Sequence, residues 1–269
     1  MASFFPSFAS IDLQLVGLVA IAFLAGVLNA VDGGGSFLLF TAMLGTGMTP
    51  VAANATNTVA LWPGQLTSVA AYWPRIRRNL RLAAPMALAG LIGGAAGAVV
   101  LLSTPQMTFL HLVPWLLLTA ATIFAVSGPV TRHLDGWKAR RRERPETGSR
   151  RPHVLLVFLS TTAICFYIGY FGAGAGFLII TLMSLFGLEN LHEINALKVA
   201  STTPANGIAF VIFVVRGQVL WHYCLAAMVA AAIGGYASAS LARRVPQPVL
   251  RGLVVAIGLS MAAWFFWRQ

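Results

Sequence analysis

The chain has 269 residues, of which 58% are hydrophobic and only 9% are charged, with a mean hydropathy of +0.80. A soluble domain has roughly 25% charged residues, so the composition excludes a water-soluble globular protein. The apolar runs are continuous and about 20 residues long, which predicts an all-α polytopic integral membrane protein rather than a β-barrel. The net charge of +11 lies mainly in two clusters between apolar runs, so nucleic acid is not an expected partner.

The first residues carry no basic region and no evident cleavage site, so we expect no signal peptide. Long apolar segments match the length that spans a bilayer, whereas the short segments 36–47 and 176–187 predict half-helices or re-entrant segments. The segments are 11–31, 36–47, 53–73, 82–102 and 108–128, then 153–171, 176–187, 195–215, 219–241 and 248–267.

Two basic clusters, at 74–81 and 131–152, predict cytoplasmic loops of a multi-pass protein of the cell inner (plasma) membrane. The second cluster also divides the chain into an N-terminal transmembrane repeat (1–130), a basic linker (131–152) and a C-terminal transmembrane repeat (153–269). The linker either only fixes the topology or also binds anionic lipid head groups.

The two halves form a repeat with an offset of 141 residues, and Phe37 and Thr41 recur at an offset of 140 as Phe177 and Thr181. So many unusual residues in register are not expected by chance, so we predict two homologous repeats. The pairs at 141 are Asn54 with Asn195, Pro63 with Pro204, Arg75 with Arg216, Gly93-Gly94 with Gly234-Gly235 and Pro105-Gln106 with Pro246-Gln247.

The repeats are parallel if each short segment re-enters and returns, and inverted if it contributes to a crossing. Counting the basic residues on each side does not separate the two topologies. Equivalent loops carry opposite charge bias, since 74–81 is more basic than 216–221 whereas 242–247 is more basic than 103–108. This bias favours inverted repeats, which are common in transporters.

Asp32 is the carboxylate that lies deepest in an apolar region. A charge at the bilayer centre is costly, so Asp32 either couples transport to a proton or cation or caps the following half-helix from the interface. The equivalent position in the second half is Gly172, so both halves do not need the acid.

Glycine-rich breaks precede both short segments, at Gly33–Ser36 and at Gly172–Gly176. Glycines let the backbone bend and expose the N–H groups of a helix N-terminus, which attract anions. The two breaks therefore form half of an anion site each, or else they are only tight turns between helices.

Asn54, Asn57, Thr58 and Gln65 share one helix face, and a matching stripe starts at Asn195. Lys198 is equivalent to Asn57, and its ammonium group either neutralises an anionic substrate or extends to the membrane interface. The alternative is that the stripes hold helices together through hydrogen bonds. The substrate-binding candidates are Gly33, Gly34, Gly35, Ser36, Asn54, Asn57, Gly174, Gly176, Asn195, Lys198 and Asn206, with Asp32 as the proton-coupling candidate.

Other reactive residues give weaker signals. His192, between Glu189 and Glu193, could transfer protons but is expected in a solvated loop. Cys165 and Cys224 lie in apolar runs without a CxxC motif, so we expect no disulfide scaffold. No metal-ligand spacing emerges, and we expect no metal, no cofactor and no enzymatic activity.

The chain resembles the TauE/SafE family of membrane permeases, often called sulfite exporters, over essentially its whole length. The residues that carry the resemblance are Asp32-Gly-Gly-Gly-Ser, Gly47-Met-Thr-Pro-Val-Ala-Ala-Asn54-Ala-Thr56, Gly172-Ala-Gly-Ala-Gly176 and Asn195-Ala-Leu-Lys198. The resemblance implies export of sulfite, sulfoacetate or a related small sulfur or carboxylate anion. These motifs are specific to the family but not to a substrate.

Together these features predict a secondary transporter that binds a small anion between two repeats at the membrane midplane. An uptake permease or a channel for thiosulfate or a carboxylate is the alternative within transport, and a thiol-redox or assembly protein is the alternative outside it. The expected partners are the anionic substrate and the lipid bilayer. The sequence does not decide whether the protein forms a homo-oligomer.

Overall fold

The computed structural model describes residues 8–31, 34–142, 153–188, 190–241 and 247–268, and no strand occurs among them. The predicted all-helical membrane class is confirmed. The described helices are α1 Phe8–Val31, α2 Gly35–Gly45, α3 Pro50–Arg78, α4 Leu80–Ser103, α5 Gln106–Arg142, α6 Val154–Tyr170, α7 Ala175–Leu185, α8 Leu191–Val215, α9 Trp221–Leu241 and α10 Gln247–Arg268.

Long helices provide the membrane-spanning part of the fold. By length and composition, three stretches of the described chain can cross a bilayer: Leu80–Ser103, Gln106–Ile123 and Leu191–Val215. A helix suits this environment because its backbone N–H and C=O groups are bonded internally, without water.

The short helices α2 and α7 have 11 residues each. At 1.5 Å per residue each is about 16 Å long, roughly half of the hydrocarbon thickness, so neither crosses alone. Gly174 precedes α7 with a φ of 78°, whereas Gly34 precedes α2 with a φ of −85°. The second break therefore requires a glycine conformation that the first break does not use at Gly34.

Helices of one half pack mainly against helices of the other half. α1 lies along α9, and α6 lies along α4, which also packs on α8. A Cβ built on Gly93 would collide with the Thr162 carbonyl oxygen, and one built on Gly234 would collide with that of Phe23. The small residues thus allow the close backbone approach that helix association in lipid favours.

α3 and α8 cross at a point where residues at equivalent repeat positions contact each other. The Trp62 indole donates to the Thr203 carbonyl at 3.1 Å, and the Asn206 amide donates to Gln65 Oε1 at 3.2 Å. Both contacts join residues 141 positions apart.

The two crossing helices are antiparallel. Near the start of α3, the Thr56 hydroxyl accepts a bond from the Leu220 N–H, which lies beyond the end of α8. Near the end of α3, Ile76 joins a buried cluster with Ile194 and Leu197 from the first turns of α8. An antiparallel crossing at equivalent residues supports inverted rather than parallel repeats.

Helices continue into both basic clusters, which were predicted to be cytoplasmic loops. α3 continues through Pro74 to Arg78, and Asn79 alone separates it from α4. α5 continues to Arg142, into the predicted linker, while 143–152 lies outside the described residues. The boundaries of the two predicted repeats stay a prediction.

Candidate functional site

Asn54 and Asn57 are buried side chains near the start of α3, with exposed fractions of 1% and 2%. α3 begins at Pro50, a position where proline is favoured because the first N–H of a helix has no partner. The two asparagines are three positions apart, so the helix presents both amides on one face.

The Asn57 side chain holds the start of the first half-helix. Its Nδ2 donates to the Ser36 carbonyl at 3.0 Å, in the first turn of α2. Gly35 beside it approaches the Ala25 carbonyl so closely that a Cβ would collide. The first glycine break is therefore fixed between α1 and α3.

Asn54 connects this region to the other half of the chain. Its Nδ2 donates to the carbonyl of Tyr170, the last residue of α6, at 3.0 Å. The four C-terminal carbonyls of a helix have no partner within the helix, so the amide supplies a donor that α6 lacks. One face of α3 thus contacts the first glycine break and the end of α6, just before the second break.

The oxygens of both amides are buried and have no hydrogen-bond partner. Rotating either amide would place its oxygen against a carbonyl oxygen, which also only accepts, so the present orientation is required. A buried acceptor without a donor costs about 1–3 kcal/mol. Two such oxygens in a polar region are sites that a hydrogen-bond donor would satisfy.

Lys198 takes the corresponding place in the second half. A Cβ built on Gly176 would lie 3.5 Å from Lys198 Cδ, so the half-buried lysine lies over the start of α7. Asn57 and Lys198 are equivalent at the repeat offset, and so are Ser36 and Gly176 within one residue. Each half-helix therefore begins beneath a polar side chain from the following long helix.

Neither half-helix has a side-chain hydrogen bond at its N-cap, since Gly34 and Gly174 occupy these positions. Uncapped N–H groups at the start of a helix are suited to bind an anion. The Tyr167 hydroxyl donates to the Ala173 carbonyl at 2.8 Å and braces the second break.

The remaining candidates are placed differently. Asn206 bonds Gln65 and the Thr202 carbonyl at the helix crossing, which matches the alternative that the polar stripes hold helices together. Asn195 is half-buried in α8, one turn before Lys198. Asp32 and Gly33 lie outside the described residues.

Sequence reasoning missed Thr56, Trp62 and Tyr170. Thr56 stands in the quoted motif, and Trp62 lies on α3 three residues before Gln65, so spacing could have indicated both. Tyr170 takes part through its carbonyl oxygen. Because every residue has a backbone carbonyl, the sequence does not indicate which carbonyl takes part.

Metal and thiol chemistry gain no support from the described part of the chain. Its His, Cys, Asp and Glu side chains form no group of three that could hold a metal ion. Cys165 and Cys224 are buried free thiols that face the carbonyls of Ser201 and Thr56, each at 3.9 Å. His192 is exposed in the first turn of α8.

The model of the family described as "Sulfite exporter TauE/SafE" matches residues 18–265. A probable membrane transporter protein of Haemophilus influenzae is 27% identical over 96% of each chain. Probable membrane transporter protein ORF9 of a Sinorhizobium species is 26% identical over 92% of this chain and 90% of its own. YfcA of Escherichia coli, also named a probable membrane transporter protein, is 24% identical over 98% and 93%. No solved structure matches the chain significantly.

Proposed function

We propose, from the chain's membership of the sulfite exporter TauE/SafE family, that it is a secondary transporter exporting a small anion such as sulfite or a sulfonate. Membership makes the protein a membrane transporter, and the cargo and direction are our proposal. The observation that carries it is the pair of uncapped half-helices, each starting beneath a polar side chain, Asn57 in one half and Lys198 in the other.

The site provides both kinds of polar group that such a cargo needs. Backbone N–H groups at Gly34 and Gly174 and the ammonium of Lys198 favour anionic oxygens. The amide oxygens of Asn54 and Asn57 have no donor and favour a ligand that also carries a proton. Hydrogen sulfite has both features in one small ion.

Alternating access is the proposed mechanism. The antiparallel crossing of α3 and α8 supports inverted repeats, in which one half rocks against the other around a fixed site. The bond from Asn54 to Tyr170 spans the two halves at the site itself. Rearrangement between the halves would therefore change the side chains that face the anion.

The test is flux in liposomes that contain the purified protein. Sulfite, thiosulfate, sulfoacetate and small carboxylates are supplied singly, with and without a pH gradient, against empty liposomes. We expect saturable flux of a sulfur oxyanion. If none of the anions moves faster than in empty liposomes, the anion-transport proposal is wrong.

Two arms of the experiment separate the alternatives. A transporter accelerates entry of labelled anion when unlabelled anion is present on the other side, whereas a channel does not. The driving force is the membrane potential or a proton carried by Asp32. If the flux of Asp32→Asn protein keeps the pH dependence of the wild type, Asp32 does not carry the coupling proton.

A further inference from the structure

A long apolar groove lies on the outside of the protein, lined by residues of α3, α4 and α8. It has a volume of about 610 Å³. α3 and α4 both pack along α8 but touch one another little, so α8 forms the floor of the groove between them. Its lining includes Trp62, Trp73, Leu80, Leu91, Val199 and Val211.

The groove has the length of one leaflet of a bilayer. On α4 it extends from Leu80 to Leu91, which corresponds to about 16 Å at the rise of an α-helix. One leaflet contributes about half of the roughly 30 Å hydrocarbon thickness. An extended acyl chain therefore fits along the groove from its end to the level of Trp62.

The end of the groove at Leu80 is strongly basic. Arg75, Arg77, Arg78 and Arg81 are all exposed around the junction of α3 and α4. The guanidinium of Arg75 lies 5.9 Å from the centre of the Tyr72 ring, a cation–π distance, so its side chain packs on α3 at this junction. In the described part of the chain no ion pair involves these arginines.

From the groove and its basic end we infer a binding site for one anionic phospholipid. The acyl chain occupies the groove, and the phosphate head group binds the arginines of the α3–α4 junction. Arginine forms paired hydrogen bonds with phosphate, and basic residues beside the hydrocarbon attract anionic lipid. The inference does not depend on the transported anion.

The second half supplies a matched control. Arg216 is equivalent to Arg75 and exposed, but it stands alone at the end of α8 and outside the groove lining. If general attraction to an anionic membrane caused the lipid binding, removal of Arg75 and removal of Arg216 would weaken that binding equally. A specific site responds to Arg75 and not to Arg216.

The test uses quenching of tryptophan fluorescence by brominated acyl chains. Full-length protein is placed in phosphatidylcholine vesicles with a small fraction of brominated phosphatidylglycerol or brominated phosphatidylcholine. The contribution of Trp62 is the difference between the wild type and Trp62→Phe. We expect stronger quenching of Trp62 by the anionic lipid at equal bromine content.

Four variants then examine the site. Arg75→Gln and Arg78→Gln should each weaken the apparent affinity for phosphatidylglycerol about fivefold, the effect of one basic residue near anionic lipid. Arg216→Gln should leave it unchanged. Ala87→Phe, which places a ring in the groove lining, should remove the excess quenching while the arginines remain.

Several results would overturn the inference. Equal quenching by the two lipids shows that the groove has no preference for the anionic head group. Excess quenching that survives replacement of Arg75, Arg77, Arg78 and Arg81 together by glutamine places the head group elsewhere. No excess together with a dimer mass in detergent assigns the groove to a second copy of the chain instead.

Discussion

The buried amides of Asn54 and Asn57 support the proposal that this region binds a ligand as well as joining helices. Their nitrogens already bond the carbonyls of Tyr170 and Ser36, which satisfies the role of holding helices together. Their oxygens remain without donors at a cost of about 1–3 kcal/mol each. A ligand with a proton to donate would offset this cost.

Replacement of Lys198 tests the cationic part of the site. Lys198→Ala removes the charge over the start of α7, and we expect anion flux to fall at least tenfold, since a charge-assisted contact is worth about 1.5–3 kcal/mol. Flux in liposomes at equal protein density measures it. Arg216→Ala removes the same charge from the exposed end of α8 and should retain flux. Wild-type flux in Lys198→Ala would exclude the lysine from the site.

At the scale of the elements, apolar length and glycine position predict most helices. The short segments 36–47 and 176–187 correspond to α2 and α7, because a dozen apolar residues between glycines cannot form a longer helix. The extension of α5 to Arg142 was not predicted. Where a helix continues past its apolar run, the sequence has no hydrophobic pattern that would predict the extension.

The residue types of the candidate site could be proposed from the sequence, whereas the contacts of these residues could not. The repeat offset aligned Asn57 with Lys198, and each contacts the start of a half-helix. The bond from Asn54 to Tyr170 was not foreseen, since a carbonyl is present at every residue. Asn206 carried the same polar signal as Asn195, yet it bonds Gln65 at the helix crossing.

The close contact of α4 with α8 makes Gly94 sensitive to the smallest substitution. A Cβ built there would lie 2.5 Å from the Ala205 carbonyl oxygen, whereas Gly64 on α3 has open space. We expect Gly94→Ala to lower stability by about 1–3 kcal/mol because the backbones must separate. Thermal unfolding in detergent measures the difference.

Gly64→Ala is the control for that substitution. In a helix, alanine is favoured over glycine by about 1 kcal/mol, so without a collision both variants would be stabilised. We therefore expect opposite changes in melting temperature. A gain in both variants would show that α4 and α8 are not in close contact.

At the scale of the whole molecule, the antiparallel crossing of α3 and α8 determines where equivalent residues lie. The end of α3 is beside the start of α8, and the end of α8 is beside the start of α3. Both helices are long enough to cross the hydrocarbon. Arg75 and Arg216, equivalent in sequence, are therefore expected at opposite faces of the membrane.

Cysteine labelling tests this topology with one matched pair. Arg75→Cys and Arg216→Cys, each exposed in the wild type, are introduced into a Cys165→Ala, Cys224→Ala background. A membrane-impermeant thiol reagent is added to one side or to both. With inverted repeats each cysteine reacts from a single side, and the two sides differ. The basic cluster around Arg75 should face the cytoplasm.

Parallel repeats give the contrary pattern, since both cysteines would react from the same side. That result would remove the rocking mechanism, in which equivalent halves open to opposite faces around a common site. It would leave the contacts of Asn57 and Lys198 with the starts of the half-helices unchanged, because each of these lies within one half of the chain. The labelling experiment thus separates how the anion is bound from how the two halves would move it.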